Sequence, residues 1–386
     1  MVYAIIVDPW STGQEYGPAF REAGAVPIAV LSGPDVLKTY ATSWFPENYD
    51  AQHPFDGDLG SLVEQLRRYL PDAFIVPGSE SGVELADQLI EALMPGTGNV
   101  AGLAGARRDK RAMSAALAAA GVPRLREIST ADPAAVERWL AETGLAGKRL
   151  VVKPPKSAGG DEVHVVAEDE DWRPRFGELL GAVNKMELVN DEVLIQEYAD
   201  GTEFLVDSYS LDGRHGLVDV CYYTKMRRGD KIGIYRRIDF LGPDAPEVAE
   251  VWPYARQVLD AVGIRTGCGH TEIMLTPAGP RLIEIAARAA GGGHQLISEL
   301  ATGDNHIRRT VAHRLRGEFK EGFELIQRVR GVFVSAHQGG ILRNGELLRE
   351  AEKLASFQWM KVLRDNDAEV PEIGRASCRE RVSLNV

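Results

Sequence analysis

Apolar residues recur along this chain with two different periods, and the alternation between those periods sets the expected architecture. Short β-rich runs at 3–7 (YAIIV), 25–31 (AVPIAVL) and 73–78 (AFIVPG) read as strands, while 15–23, 60–70 and 83–94 read as helices. Strands alternating with helices predict a parallel sheet. The turn GSESG, Gly78 to Gly82, leaves the third run at its carboxyl end, where ligands bind such sheets. Glu80 in that turn has two readings: a functional carboxylate, or one favoured at a helix start by the dipole.

After MPGTGN at 94–99, a natural lobe boundary, an alanine-rich helix begins in RRDKRAM and is stopped by Gly121 and Pro123. The pattern then predicts a helix over 133–144, strands over 149–154 and 163–166, a helix over 171–187 and a strand over 192–198. Several β-rich runs fill 203–240, a helix covers 247–262, two strands lie around 270–287, a helix spans 305–316, and GVFVSA at 331–336 starts a C-terminal piece. No apolar stretch approaches the roughly 18 residues of a membrane helix.

Length and charge narrow the function. A chain of 386 residues suits two or three packed lobes. A net charge of -12 excludes a general binder of nucleic acid or anionic membranes, and leaves only small polyanions held in a local cationic pocket. Cys221, Cys268 and Cys378 have no metal or redox spacing, which points to a reducing cytoplasm. The start MVYAIIVDPW carries no basic leader, so no signal peptide is expected. EIGRASCRERV, from Glu372 to Val382, reads as a translated sequencing adapter; it is set aside, and the native C-terminus is expected to be missing.

Three segments carry candidate chemistry. In Lys153-Pro-Pro-Lys-Ser-Ala-Gly-Gly160 a lysine ends a strand and a small-residue loop follows. Such a loop lets backbone N–H groups cradle phosphate oxygens, with the lysine as a point charge, although a plain hairpin loop has the same composition. Glu272 and Glu284 lie twelve residues apart on two strands joined by TPAGP. An antiparallel pair would bring both carboxylates to one face, either as magnesium ligands or as an exposed polar face. Arg288 follows four residues later, ahead of Gly291 to Gly293 and His294; its fork suits a phosphate or carboxylate, or an ion pair with a nearby acid.

Taken in order, DKRAM with a helix ending GVP, VVKPPKSAGGDEV, IQEYADGTEF and HTEIMLTPAGPRLIEIAARAAGG resemble the ATP-grasp superfamily over residues 1 to about 320, and within it the L-amino-acid ligases that include the bacilysin-forming type. The resemblance implies an α/β (α+β) fold: an N-terminal Rossmann-like lobe over 1–105, an ATP-grasp domain over 106–320 with a small lid near 148–200 and a mixed-sheet lobe, a C-terminal piece over 321–371, and the set-aside tail 372–386. It implies ATP with Mg2+ or Mn2+, and an ATP-dependent ligase that joins a carboxylate to an amine through an acyl phosphate, making an amide or dipeptide. Lys110 and Lys153 look like the phosphate lysines, Ser157 to Gly160, with Gly159 and Gly160, like the loop over the phosphates, Glu197, Tyr198 and Ala199 like the adenine hinge, and Glu203 like the ribose ligand. Glu272 and Glu284 match the metal carboxylates and Arg288 the arginine that steadies the acyl phosphate. Many relatives read EIN-x-R; Ala286 stands at that asparagine's position and supplies no ligand. Lys225 and 234–240 lie where this branch builds its acyl pocket, and among His164, His270 and His294 the last is the candidate substrate contact. Small carboxylate and amine substrates, no nucleic acid or membrane, and a homodimer are expected. Two alternatives stay open: an ATP-grasp ligase for a non-amino-acid carboxylate, and a nucleotide-binding module without catalysis; an NAD enzyme is disfavoured because no G-x-G-x-x-G follows the first strand.

Overall fold

The computed structural model describes residues 1–157, 162–228, 231–334, 338–362, 366–370 and 382–385. Gly159, Gly160 and Cys378, and most of the run 372–386, lie outside the described residues. In chain order the N-terminal elements are β1 Tyr3–Val7, α1 Tyr16–Glu22, β2 Val26–Leu31, β3 Ala51–Pro54, α2 Leu59–Leu66, β4 Ala73–Pro77, α3 Val83–Leu93 and α4 Lys110–Ala119. There follow β5 Glu127–Thr130, α5 Pro133–Thr143, β6 Leu150–Lys153, β7 His164–Val166, α6 Arg173–Leu179, β8 Val193–Glu197, β9 Thr202–Leu211, β10 Arg214–Arg228 and β11 Lys231–Phe240. The chain continues through α7 Pro246–Ala261, β12 Gly267–Thr276, β13 Gly279–Ala286, α8 His294–Thr302, α9 His306–Arg316 and β14 Arg330–Val334, and ends in β15 Gly340–Ile341, β16 Trp359–Lys361, β17 Glu369–Val370 and β18 Val382–Asn385.

The chain forms two compact units: 1–124 with 205–220 and 242–326, and 125–204 with 221–241 and 327–386. In the first unit, β3-β2-β1-β4 make an all-parallel sheet, as the alternating pattern predicts. Its core joins Ile5, Val7, Ile28, Val30 and Ile75 to the inner faces of α2 and α3. On α3, Val83, Ala86, Leu89, Ile90 and Leu93 are buried, the stripe that a 3.6-residue period produces. The same unit holds the antiparallel hairpin β12–β13, next to β9.

In the second unit the strand order is β10-β11-β7-β6-β8-β5, antiparallel throughout, over a core of Val136, Leu140, Trp172, Phe176, Leu150, Val152 and Ile195. Asp132 caps α5 by accepting from Ala134 N, Pro133 fills its first turn, and Gly144, left-handed at φ 69°, ends it. The helix expected over 171–187 stops at Leu179. Gly181 is left-handed at φ 77°, and the Asn184 side chain accepts from Met186 N and Leu188 N, so a side-chain turn outcompetes the helix. Val382–Asn385, within the run set aside above, pairs with β14 and β16. Strands β3 and β5 and helix α8 are elements that the sequence pattern did not reveal.

Candidate functional site

In the first unit, antiparallel pairing of β12 with β13 sets His270 opposite Ala286 and Glu272 opposite Glu284. Residues two apart on a strand share a face, so His270, Glu272, Glu284 and Ala286 project together. Two carboxylates directly opposite repel one another, and this pair lies about three-quarters buried (side chains 23% and 28% exposed), where screening is weak. Cations offset the repulsion. Lys110, on the first turn of α4, donates from Nζ to Glu284 Oε1 at 3.1 Å, and His270 Nε2 lies 3.8 Å from Glu272 Oε1. Asp109 caps that turn, its carboxylate accepting from Arg111 N at 2.9 Å, which fixes where Lys110 leaves the helix. Ala286 is buried and apolar and adds no donor to this face.

Just beyond β13, Arg288 donates from Nε to Glu80 Oε2 at 2.8 Å and from Nη1 to the Ala289 carbonyl at 2.8 Å. Glu80 Oε1 accepts from Arg108 Nη1 at 3.2 Å. Glu80 is 4% exposed; burial pushes its pKa up, but Arg288, Arg108 and Lys110 outweigh that and hold it below the usual carboxylate range. Arg288 is 18% exposed; desolvation works against its charge, but Glu80 keeps it firmly charged. The placement follows from the sheet: β1 and β4 are parallel neighbours, and Asp8 and Glu80 lie beyond their carboxyl ends. Gly13, Gly78 and Gly82 make this close approach feasible; a Cβ on Gly78 would meet the Asp8 carbonyl oxygen at 2.6 Å. Asp8 accepts from Ser32 N and Ser32 Oγ, both at 2.7 Å, yet burial raises its pKa to about 6.

Behind the carboxylate face lies a buried polar cluster. Asp207 of β9 accepts from His270 Nδ1 at 2.6 Å, and His294 Nε2 donates to Asp219 Oδ1 at 3.1 Å. Ser298 donates to Asp219 Oδ2 at 2.5 Å. Burial pushes the Asp207 pKa up, but His270 and His294, close to its two oxygens, overcome that and hold the group below its ordinary value. His294, the expected substrate contact, is 5% exposed and turned into this cluster.

In the second unit, Lys153 ends β6 and donates to Gln196 Oε1 at 3.1 Å, and Ser157 is buried. Glu197 accepts from Arg126 N at 2.8 Å and from Arg126 Nε at 2.7 Å. The Tyr198 ring lies under the Arg149 guanidinium, 4.3 Å from carbon to centroid, and Ala199 follows, partly buried. Glu203 takes Lys225 Nζ on both oxygens at 2.5 Å, beside Tyr223 and Tyr235. His164 bonds Glu162 at 3.0 Å. Sequence reading passed over Arg108, Asp207, Asp219 and His306; the available signal was an aspartate at the centre of an apolar strand, in FLVDSYSL and GLVDVC, where a charge needs a partner.

Among the described residues no helix is long and apolar enough to cross a membrane. Residues 147–296 match a family model described as an ATP-grasp domain. The chain is 31% identical over 314 residues to dapdiamide A synthase of Enterobacter agglomerans, covering 78% of this chain and 71% of that protein. The fold is similar to the crystal structure of an L-amino acid ligase from Bacillus licheniformis, with TM-score 0.75, 17% identity, and 100% of this chain and 93% of that one covered. It is also similar to N5-carboxyaminoimidazole ribonucleotide synthetase from Thermotoga maritima, with TM-score 0.67, 15% identity, and 100% and 93% covered.

Proposed function

This chain belongs to the ATP-grasp family, and from that premise we propose that it is an ATP-dependent ligase that joins a carboxylate to an amine, with amino acids as both substrates. One observation carries the reading most directly: two facing carboxylates on β12 and β13, with Lys110 on one of them and Arg288 just past the strand end. Identity to a synthase named for an amide product supports the same chemistry.

A free carboxylate resists amines because its leaving group would be oxide. Transfer of the ATP γ-phosphoryl to it gives an acyl phosphate and ADP; the amine then attacks the carbonyl carbon, phosphate leaves, and a proton is lost from nitrogen. Positioning and charge neutralisation are the protein's share. The oxygen-only donor set of Glu272 and Glu284, two carboxylates facing one another, fits a hard divalent ion, and these two residues would hold it. Such an ion neutralises charge on the transferring phosphoryl group. Lys110 adds a fixed positive charge beside Glu284, and Arg288, locked by Glu80 and its own loop carbonyl, would meet the oxyanion of the acyl group. In the second unit Lys153 and Ser157 would contact phosphates, Glu197, Tyr198 and Ala199 the adenine, and Glu203, paired with Lys225, the ribose. A lid within about 148–200 would keep water from the acyl phosphate. Ala286 offers no side-chain oxygen, so Glu272 and Glu284 would be the protein's contribution from this hairpin to such a site.

The test is phosphate release from Mg-ATP against L-amino acids, singly and in pairs. Release that requires a particular pair, and that drops at least 100-fold in Glu284→Gln, is expected. Release driven by a non-amino-acid carboxylate would transfer the reading to the other ligase class, and binding of ATP without release under any of these conditions would refute it.

A further inference from the structure

The mechanism above uses Glu272 but gives no role to the buried groups behind it. Asp207 is 1% exposed, and a charge so placed needs strong local compensation. Its Oδ1 accepts from His270 Nδ1 at 2.6 Å, the shortest contact of the cluster's three histidines with this aspartate. His306 does not complete its other oxygen. His306 Nδ1 accepts the Ala290 N–H at 3.2 Å and its Nε2 donates to the Ser208 carbonyl at 2.9 Å, so the proton is on Nε2 and His306 has no N–H to give Asp207. Asp207 Oδ2 is accordingly buried without a hydrogen bond. The bond to His270 is therefore the closest histidine contact of Asp207, with His294 Nε2 3.3 Å from its other oxygen.

That bond fixes the His270 ring, with an Nδ1–H donated to Asp207 and the Nε2 edge facing Glu272 Oε1 at 3.8 Å. The register gives the ring room. His270 stands directly across from Ala286, and a methyl group there leaves the face between Glu272 and Glu284 open to the imidazole. The geometry points to Asp207 and His270 as positioning residues: a carboxylate–imidazole pair that orients the Glu272 carboxylate toward a divalent cation, in place of support from position 286. The inference rests on the reading of Glu272 and Glu284 as cation ligands. Outer-sphere partners of this kind set ligand direction, and their removal costs about 10–100-fold in metal affinity.

The experiment uses Mn2+ as the probe, its binding to the full chain with ADP present followed by electron paramagnetic resonance, with thermal unfolding in parallel. Three substitutions separate the roles. His270→Asn places an amide where Nδ1 was, satisfying Asp207 while losing the arm toward Glu272; His270→Gln places it where Nε2 was, keeping that arm; Asp207→Asn keeps shape and removes the charge. We expect His270→Asn and Asp207→Asn to weaken Mn2+ about 10-fold or more, and His270→Gln to retain more of the affinity. Wild-type Mn2+ affinity in a folded His270→Asn would overturn the positioning role. That outcome is distinct from failure of the underlying reading, which would show as Mn2+ binding untouched by Glu284→Gln. Should Asp207→Asn fail to fold, the contrast between the two His270 variants still decides.

Discussion

Asp8 shows how one side chain can be kept at a cost to stability. It sits fully buried at the carboxyl end of β1, with φ 55°, accepting twice from Ser32. Burial raises its pKa from 3.8 to about 6. The sign follows from linkage: a carboxyl whose folded pKa is raised favours the folded state at pH below about 4, and that advantage is lost as pH rises through about 6. Asparagine has the same shape, tolerates positive φ and does not titrate. Asp8→Asn should therefore gain on the wild type by about 2–3 kcal/mol in unfolding free energy between pH 4 and pH 7.5; urea denaturation at the two pH values checks it, and parallel curves would refute the assignment. Legibility at this scale followed sequence distance. Glu272 and Glu284, twelve residues apart on one hairpin, could be paired by inspection. Asp207 and His270 are 63 residues apart, and Glu80 and Arg288 are 208 apart. Nothing local marks such partners, because only tertiary folding joins them.

At the scale of elements, the turns that bring strand ends together are more demanding than the strands. Gly78 follows β4, and a Cβ there would lie 2.6 Å from the Asp8 carbonyl oxygen and 3.0 Å from Ile6 Cγ2. Neither backbone can yield without moving the turn that bears Glu80, so Gly78→Ala should destabilise by about 3 kcal/mol, at the upper end of overpacking costs. Gly177 provides the contrast: it is exposed within α6, and a Cβ there meets nothing within 4 Å. Gly177→Ala should stabilise by about 0.5–1 kcal/mol through reduced freedom of the unfolded chain. Differential scanning calorimetry of the two variants should show melting shifts of opposite sign; equal behaviour would mean that the close approach at Gly78 is not maintained in solution. These turns also explain what the sequence pattern missed. Helix α8 is flanked by Gly293 and Gly303, both left-handed, at φ 80° and 71°. Its glycine-rich approach reads as a loop in sequence, and the helix becomes visible only when those angles are known. Strand β3, four residues long at a sheet edge, is too short for a period to show.

Across the whole molecule, charge and chemistry make a joint demand. The chain carries a net charge of -12, which repels a polyanion such as ATP at long range, so binding must come from fixed cations at short range. Lys110 and Arg288 in one unit, and Lys153 in the other, are such cations, each already held by a protein partner. Preorganised charge of this kind favours a phosphoryl transfer that occurs before the amine arrives. If the acyl phosphate forms in that order, the carboxylate donor alone should turn over slowly and the intermediate should be open to a small nucleophile. Hydroxylamine supplied with Mg-ATP and a single amino acid should then yield that acid's hydroxamate, with one ADP and one phosphate per product and no second amino acid required. Mass spectrometry of the products identifies the donor directly, since only the phosphorylated carboxylate can form a hydroxamate. Glu284→Gln should abolish the reaction, because it removes charge from the facing pair that the phosphoryl transfer depends on. Hydroxamate from neither substrate, with full amide formation when both are present, would require the amine to bind before phosphorylation, and would make the acceptor part of the site that Arg288 completes.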